Sequence, residues 1–218
     1  MRPGRGALLA LALALAPACG LSTRVRPVPA GALAVEGSVG GPAAVVGAPV
    51  PLPLSTLGVA YGLLPRLDVS AHTHLTTLFL NQVAGFDLGV TGLWLEQDGA
   101  RPALASTLRG YLFTDFRAGA LGYLDATVVA SWQLAPAWLL FAQLAGQADL
   151  TALAVDPLLG VGAEWHLERT TVQAELRWYA PQRDTRRSAV PWLSPFKQGA
   201  VGLQLGVRYD FFPGGAPD

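Results

Sequence analysis

The stretch LLGVGAEWHLERTTVQAELRWYA, residues 158–180, alternates apolar and polar side chains through two runs separated by a reversal near Arg169. In the first run Leu159, Val161, Ala163, Trp165 and Leu167 share one face, against Leu158, Gly160, Gly162, Glu164, His166 and Glu168. In the second, Val172, Ala174, Leu176 and Trp178 oppose Thr171, Gln173, Glu175 and Arg177. A period of two belongs to a strand, whose successive side chains point to opposite faces, and not to a helix. Each arm is about ten residues long, enough for a tilted strand to cross a bilayer, and its apolar face carries a Trp at one end. The stretch therefore reads as a transmembrane β-hairpin.

Composition supports that reading over the whole chain. Of 218 residues 51% are hydrophobic and only 14% charged, where a soluble domain carries roughly a quarter charged residues. Lys197 is the only lysine. Such a chain is poorly equipped to cover a water-facing surface, yet it has no run of about 18 apolar residues to make a transmembrane helix. The formal net charge is zero, so the basic patch needed for nucleic acid is missing.

The same alternation recurs in segments 31–39, 54–63, 66–75, 86–95, 102–113, 119–133, 138–146 and 200–212. With the hairpin they predict an all-β, closed antiparallel up-and-down transmembrane β-barrel of about ten strands, or eight if the first and one middle segment are irregular. Residues 40–53, with four prolines, are expected to break regular structure. Short connections at Leu64-Pro65, 96–101, 134–136 and near Arg169 sort to one side. Mostly longer ones, at 40–53, 114–118, 147–157 and 181–198, with 81–85 the short exception, sort to the other, as in barrels with short periplasmic turns and longer outer loops. That numbering puts both chain ends on the periplasmic side of a bacterial outer membrane. Tyr61, Trp94, Trp132, Trp138, Trp165 and Tyr209 then fall at the periplasmic end of the apolar face, where an interfacial aromatic girdle belongs.

The polar face decides which side is inside. It offers Gly, Thr, Ser and Gln with scattered opposite charges, among them Asp68, Asp87, Arg109, Asp125, Glu164, Glu175, Arg177, Arg208 and Asp210. That is sparse for a soluble surface and suits a narrow lumen in which charges pair. At about ten strands side chains nearly fill the interior. A soluble lipocalin-like barrel binding an apolar ligand, with the faces reversed, is the alternative arrangement.

At the N-terminus Arg2 and Arg5 precede the apolar run Ala7–Ala16 and small residues at Ala16-Pro17-Ala18, the pattern of a secretory signal peptide over residues 1–18. Cys19, the only cysteine, follows at once. Its placement resembles the lipobox of bacterial lipoproteins, which implies a lipid on Cys19, residues 19–30 as a lipid-anchored tether, and the lipoprotein export machinery as a partner. Ala16-Pro17-Ala18 also fits ordinary cleavage, which would leave Cys19 unmodified. Residues 31–212 are then the barrel and 213–218 a tail. Tyr61–Val69, YGLLPRLDV, resembles the hairpin YGLxDRLxV of small outer-membrane barrels, with Pro65 in place of the acidic turn residue. Phe211-Phe212 resembles the terminal aromatic read by outer-membrane assembly machinery.

Candidate chemistry is limited. His72 and His74 project to one face of a strand, with Asp68 and Ser70 beside them. Such a cluster serves lumen hydrogen bonding, a transition metal, or a His-activated nucleophile. It resembles the use of His with Asp or Ser in omptin proteases and lipid A deacylases, which implies a membrane hydrolase as the second functional reading. Glu164, His166 and Glu168 make a second set, expected to pair with Arg177 or another basic residue. Arg183, Asp184, Arg186 and Arg187 lie in a late loop, placed to meet anionic headgroups or polysaccharide. The leading expectation is a structural or surface-interaction barrel in contact with membrane lipid, without enzymatic activity, cofactor or metal.

Overall fold

The computed structural model describes residues 21–117, 119–188 and 190–211. Ten antiparallel strands close into a cylinder. They are β1 (Leu33–Val46), β3 (Leu54–Leu64), β4 (Leu67–His74), β5 (Ala84–Leu95), β6 (Ala103–Thr114), β7 (Ala120–Ala135), β8 (Trp138–Asp149), β9 (Ala154–Leu167), β10 (Thr170–Asp184) and β11 (Gln198–Asp210). Each pairs with its neighbour among the ten, and β11 pairs back on β1 from Ala34↔Asp210 to Pro42↔Gly202, so the ten-stranded cylinder has no free edge. Closure matters in lipid because no water is there to satisfy an edge's backbone groups. A short additional strand, β2 (Ala48–Pro51), folds back on the far half of β1.

Side-chain polarity is inverted relative to a soluble barrel. Leu88 is 71% exposed and Val128, Leu144 and Val161 are more than half exposed, while Asp68, Thr91, Glu175 and Gln204 are buried. The outer wall is thus a continuous apolar surface, the arrangement that hydrocarbon requires and water penalises. The lipocalin-like alternative, with its leucines converging inside, is overturned by this polarity.

The strands match the alternating segments closely, and the departures have physical causes. Residues 40–53 are more regular than their prolines suggest. At Gly40 (φ 143°) and Gly41 (φ 159°) β1 bends away from β3, and a Cβ at Gly40 would sit 2.1 Å from the Leu203 carbonyl oxygen. Beyond the bend β1 and β2 form a projecting hairpin in which Pro49 and Pro51 occupy an edge strand, where no inward N–H is needed. Leu75–Asn81, of which the periodicity assigns Leu75 to the preceding strand and leaves 76–81 without an element, is a short helix, α1, closed by Gln82 in the left-handed region. β10 continues through Pro181 to Asp184, and β8 and β9 extend until only residues 150–153 join them.

The largest departure concerns residues 21–30. The sequence places them in a tether leading up to the fold, whereas the structure places residues 21–28 inside the cylinder, with Pro29 and Ala30 exposed at its short-turn end. Leu21, Thr23, Arg24, Val25 and Val28 are each at most 8% exposed. Extended by Pro27 and Pro29, the segment crosses the lumen from Pro29, beside Gly62 near the short turns, to Leu21, beside Leu158 and Tyr179 near the longer connections. The expected signal peptide (1–18), Cys19, Phe212 and the tail (213–218) lie outside the described residues.

Candidate functional site

Most of the chemistry-bearing residues of this chain face the lumen, and the segment 21–30 is the partner of two groups of them. Its N-terminal part is held by a polar knot. The Thr23 backbone N–H donates to Glu175 Oε1 at 2.6 Å, and Thr23 Oγ1 lies 2.5 Å from Gln143 Oε1 and 2.8 Å from Glu175 Oε2. Arg177 donates to Glu175 at 2.8 Å and to Thr23 Oγ1 at 3.0 Å. Gln143 and Gln173 close the ring, donating to Glu175 Oε2 at 3.0 Å and to the Thr23 carbonyl at 2.9 Å. Alternation on β8 and β10 aims all four wall residues inward, and the register Glu175↔Gly162 with Gly160↔Gln143 leaves room for their side chains.

A second knot lies nearer the short turns. Arg24 forms an ion pair with Glu36 and stands 3.6 Å from Asp68. Asp68 also accepts the Val28 N–H at 2.8 Å. Arg24 and Asp68 are fully enclosed, a placement that buried charges tolerate only when paired. Apolar contacts seal this end: Val25 packs with Val129, Leu139 and Phe141, and Val28 with Ala32, Ala34 and Ala60. The sequence gives no warning of these clusters, because Leu139, Phe141 and Val129 occupy the face assigned to polar residues.

His72 and His74 do share an inward face with Asp68 and Ser70, but they engage neither. Both converge on Asp87 of β5: His72 Nδ1 lies 2.8 Å from Oδ1 and His74 Nε2 lies 3.1 Å from Oδ2. Arg109 Nε stands 3.3 Å from the same carboxylate, and His72 Nε2 stands 3.8 Å from Glu36. The cross-strand pairing His72↔Asp87 creates this cluster. It follows from register, which periodicity within one strand does not reveal. Ser70 Oγ has no hydrogen-bond partner among the described residues, so no histidine activates it. His74 also rests against Tyr111 and Phe113, which with Tyr123 form an apolar cap inside the wall.

The other singled-out residues divide. Glu164 and His166 turn inward together, 3.2 Å apart, while Glu168 sits exposed in the turn. Of the basic residues expected to meet them, Arg177 is engaged by Glu175, and the nearby cations for Glu164 are Arg24 and Arg26 of the segment. Arg183 forms a two-point pair with Asp156 at 2.7 Å and 2.7 Å, and Arg186 pairs with Asp184. Tyr61, Trp94, Trp138, Trp165 and Tyr209 are exposed on the outer wall, and Trp132 is half-exposed. All six lie toward the short-turn end, where Trp138 and Trp165 stack with ring centres 5.9 Å apart and planes 8° apart.

What remains open inside is small. A cavity of about 60 Å³ lies above the Thr23 knot, lined by Tyr111, Asp125, Asp156 and Tyr179 among others. That holds a few waters or an ion, far below the ~300 Å³ of a small-molecule site. Neither His72 nor His74 lines it. Among the described residues no group of three or more His, Cys, Asp or Glu side chains is arranged to hold a metal ion.

No family model matches the chain and no curated protein matches it. Among solved structures it is similar to an outer-membrane channel from Pseudomonas putida F1, at 12% identity, covering 88% of this chain and 99% of that one, with a TM-score of 0.46. It is also similar to the translocator domain of the autotransporter NalP from Neisseria meningitidis, at 12% identity, 94% and 97% coverage and a TM-score of 0.45. A structure from the de novo design of transmembrane β-barrels is similar at 12% identity, 85% and 98% coverage and a TM-score of 0.37. At such identities nothing of what those proteins carry passes to this one.

Proposed function

We propose that this chain is a bacterial outer-membrane β-barrel lipoprotein with a structural or surface-interaction role and no enzymatic activity. The observation that carries this reading is the inverted wall, with leucines and valines outside and carboxylates, arginines and glutamines inside. The outward aromatics at the short-turn end supply an interfacial girdle, since indole and phenol favour the boundary between hydrocarbon and headgroup. Short turns and the strand ends at Leu33 and Asp210 face the periplasm; the β1–β2 hairpin, α1 and the loop after β10 face outward. There Val46, Phe79 and Phe196, each at least 75% exposed, offer apolar contact to a surface partner. His72 and His74 serve as structural hydrogen-bonding groups around Asp87: both are buried, and each turns a ring nitrogen to that carboxylate. The assembly and lipoprotein export machineries are its partners during biogenesis.

Membrane extraction tests this directly. In a Gram-negative host the protein is expected to stay in the outer-membrane fraction through carbonate and high-salt washes. It should run at different gel mobilities before and after boiling, and should incorporate labelled palmitate that the Cys19→Ser variant does not. Release by carbonate without detergent would overturn the integral barrel. A palmitate-free wild-type protein that is still heat-modifiable would remove only the lipid anchor.

A further inference from the structure

Residues 21–29 occupy the lumen without belonging to its wall. They join no strand, and the Thr23 and Val28 N–H groups are satisfied by the Glu175 and Asp68 carboxylates rather than by a sheet ladder. The wall is nonetheless shaped for them. A Cβ at Gly62 would lie 2.0 Å from the Pro29 carbonyl oxygen, and one at Gly206 would lie 2.8 Å from both Cβ and Oγ of Ser22. Glycine at these two positions lets the segment lie directly against the wall at both of its ends.

The charges fit the same division. Within the wall Arg177 pairs with Glu175, Arg109 with Asp87, and Arg208 with Asp210. Among the described residues, the guanidinium within ion-pair distance of Glu36 and Asp68 is that of Arg24 in the segment; from the wall Glu36 has Arg208 as its cross-strand neighbour and His72 at 3.8 Å. Asp68 is fully buried, and its Oδ1 has no hydrogen-bond partner even with Arg24 in place. An isolated buried carboxylate is costly, so a wall carrying Glu36 and Asp68 needs a cation between them.

We propose that this barrel is a pathway for small monovalent cations held shut by its own residues 21–30, with Arg24 standing where a permeating cation would stand. The proposal rests on the lipid-embedded barrel reading above. Fully extended, the eight enclosed residues 21–28 span at most about 26–29 Å, against an apolar band about 25 Å tall in such barrels. Withdrawal of the segment therefore clears the lumen along most of its height, with Tyr111, Phe113, Leu139 and Phe141 remaining on the wall. Val25 and Val28 leave with it, which opens the apolar seal at the short-turn end. Glu36 and Asp68 then face water, favouring cations and repelling anions in a narrow, low-dielectric channel.

Single-channel recording of the full-length protein in planar bilayers, under a potassium chloride gradient, tests this. Wild-type protein is expected to be closed nearly all the time. Arg24→Glu, which sets a third carboxylate against Glu36 and Asp68, and Gly206→Val, which pushes on Ser22 from the wall side, are expected to raise open probability at least about tenfold. The open state should pass potassium at least about fivefold better than chloride. Heat-modifiable gel mobility of each variant certifies a folded barrel independently of conductance; Arg24→Gln substitutes where Arg24→Glu does not fold. Folded variants as silent as wild type would overturn the proposal while leaving the barrel intact, and so would anion-selective openings or a wild-type protein already open. Carbonate-extractable wild-type protein would instead remove the barrel reading beneath it.

Discussion

Leu88→Arg is expected to destabilise the protein in lipid vesicles by about 2–4 kcal/mol, the range for a cation on the lipid face near the bilayer midplane. Leu88 lies in the middle of β5, paired with Ala71 and Gly110, and is 71% exposed on the outer wall. In a water-soluble protein an exposed leucine tolerates arginine with a change inside about 0.5 kcal/mol, so the two environments predict different outcomes for one substitution. Denaturant titration of reversible folding into vesicles reads the difference as a shift in midpoint at constant slope. A loss near 3 kcal/mol corresponds to more than a hundredfold in the folding equilibrium. An unchanged midpoint would mean that this face does not meet hydrocarbon.

Glu175→Ala is expected to cost about 3–5 kcal/mol, because it leaves the enclosed Arg177 without its carboxylate. The same carboxylate accepts from the Thr23 N–H, Arg177 and Gln143, so its loss also frees the N-terminal part of the lumenal segment. The double variant Glu175→Leu/Arg177→Met should recover most of the stability, since removing both members of a buried pair is far less harmful than removing one. The same denaturant titration checks both proteins. A single variant within 1 kcal/mol of wild type, or a double variant worse than the single, would contradict the buried pair.

Much of the wall was legible in the sequence because a strand with different solvents on its two faces must alternate. The hairpin 158–180 shows this: Val161, Ala163 and Trp165 against Gly162 and Glu164 allow only one register in which all apolar side chains face the same way. The direction of the wall was legible too, from the near absence of lysine and the sparse charge of the polar face. The lumen was not. Residues 21–30 have no periodicity, and Arg24, Arg26 and two prolines read equally well as a solvated linker. That they enter the barrel depends on acceptors far away in sequence, Asp68, Gln143 and Glu175, and on Gly62 and Gly206 leaving space. The histidine cluster was half visible: His72 and His74 share a face by spacing, but their partner Asp87 is set by register between β4 and β5. Leu139 and Phe141 occupy the inner face because Val25 is there to meet them, a contact that no pattern within β8 announces.

The most direct measurement is a nitroxide scan of β7 from Leu124 to Val129, in a Cys19→Ser background reconstituted into lipid vesicles. It compares collision with oxygen, which concentrates in hydrocarbon, against collision with a water-soluble nickel chelate. Labels at Leu124, Ala126 and Val128 should show high oxygen accessibility, and labels at Asp125, Thr127 and Val129 low, with a period of two. The opposite phase, or high nickel accessibility at Leu124, Ala126 and Val128, would show that the apolar wall does not face lipid.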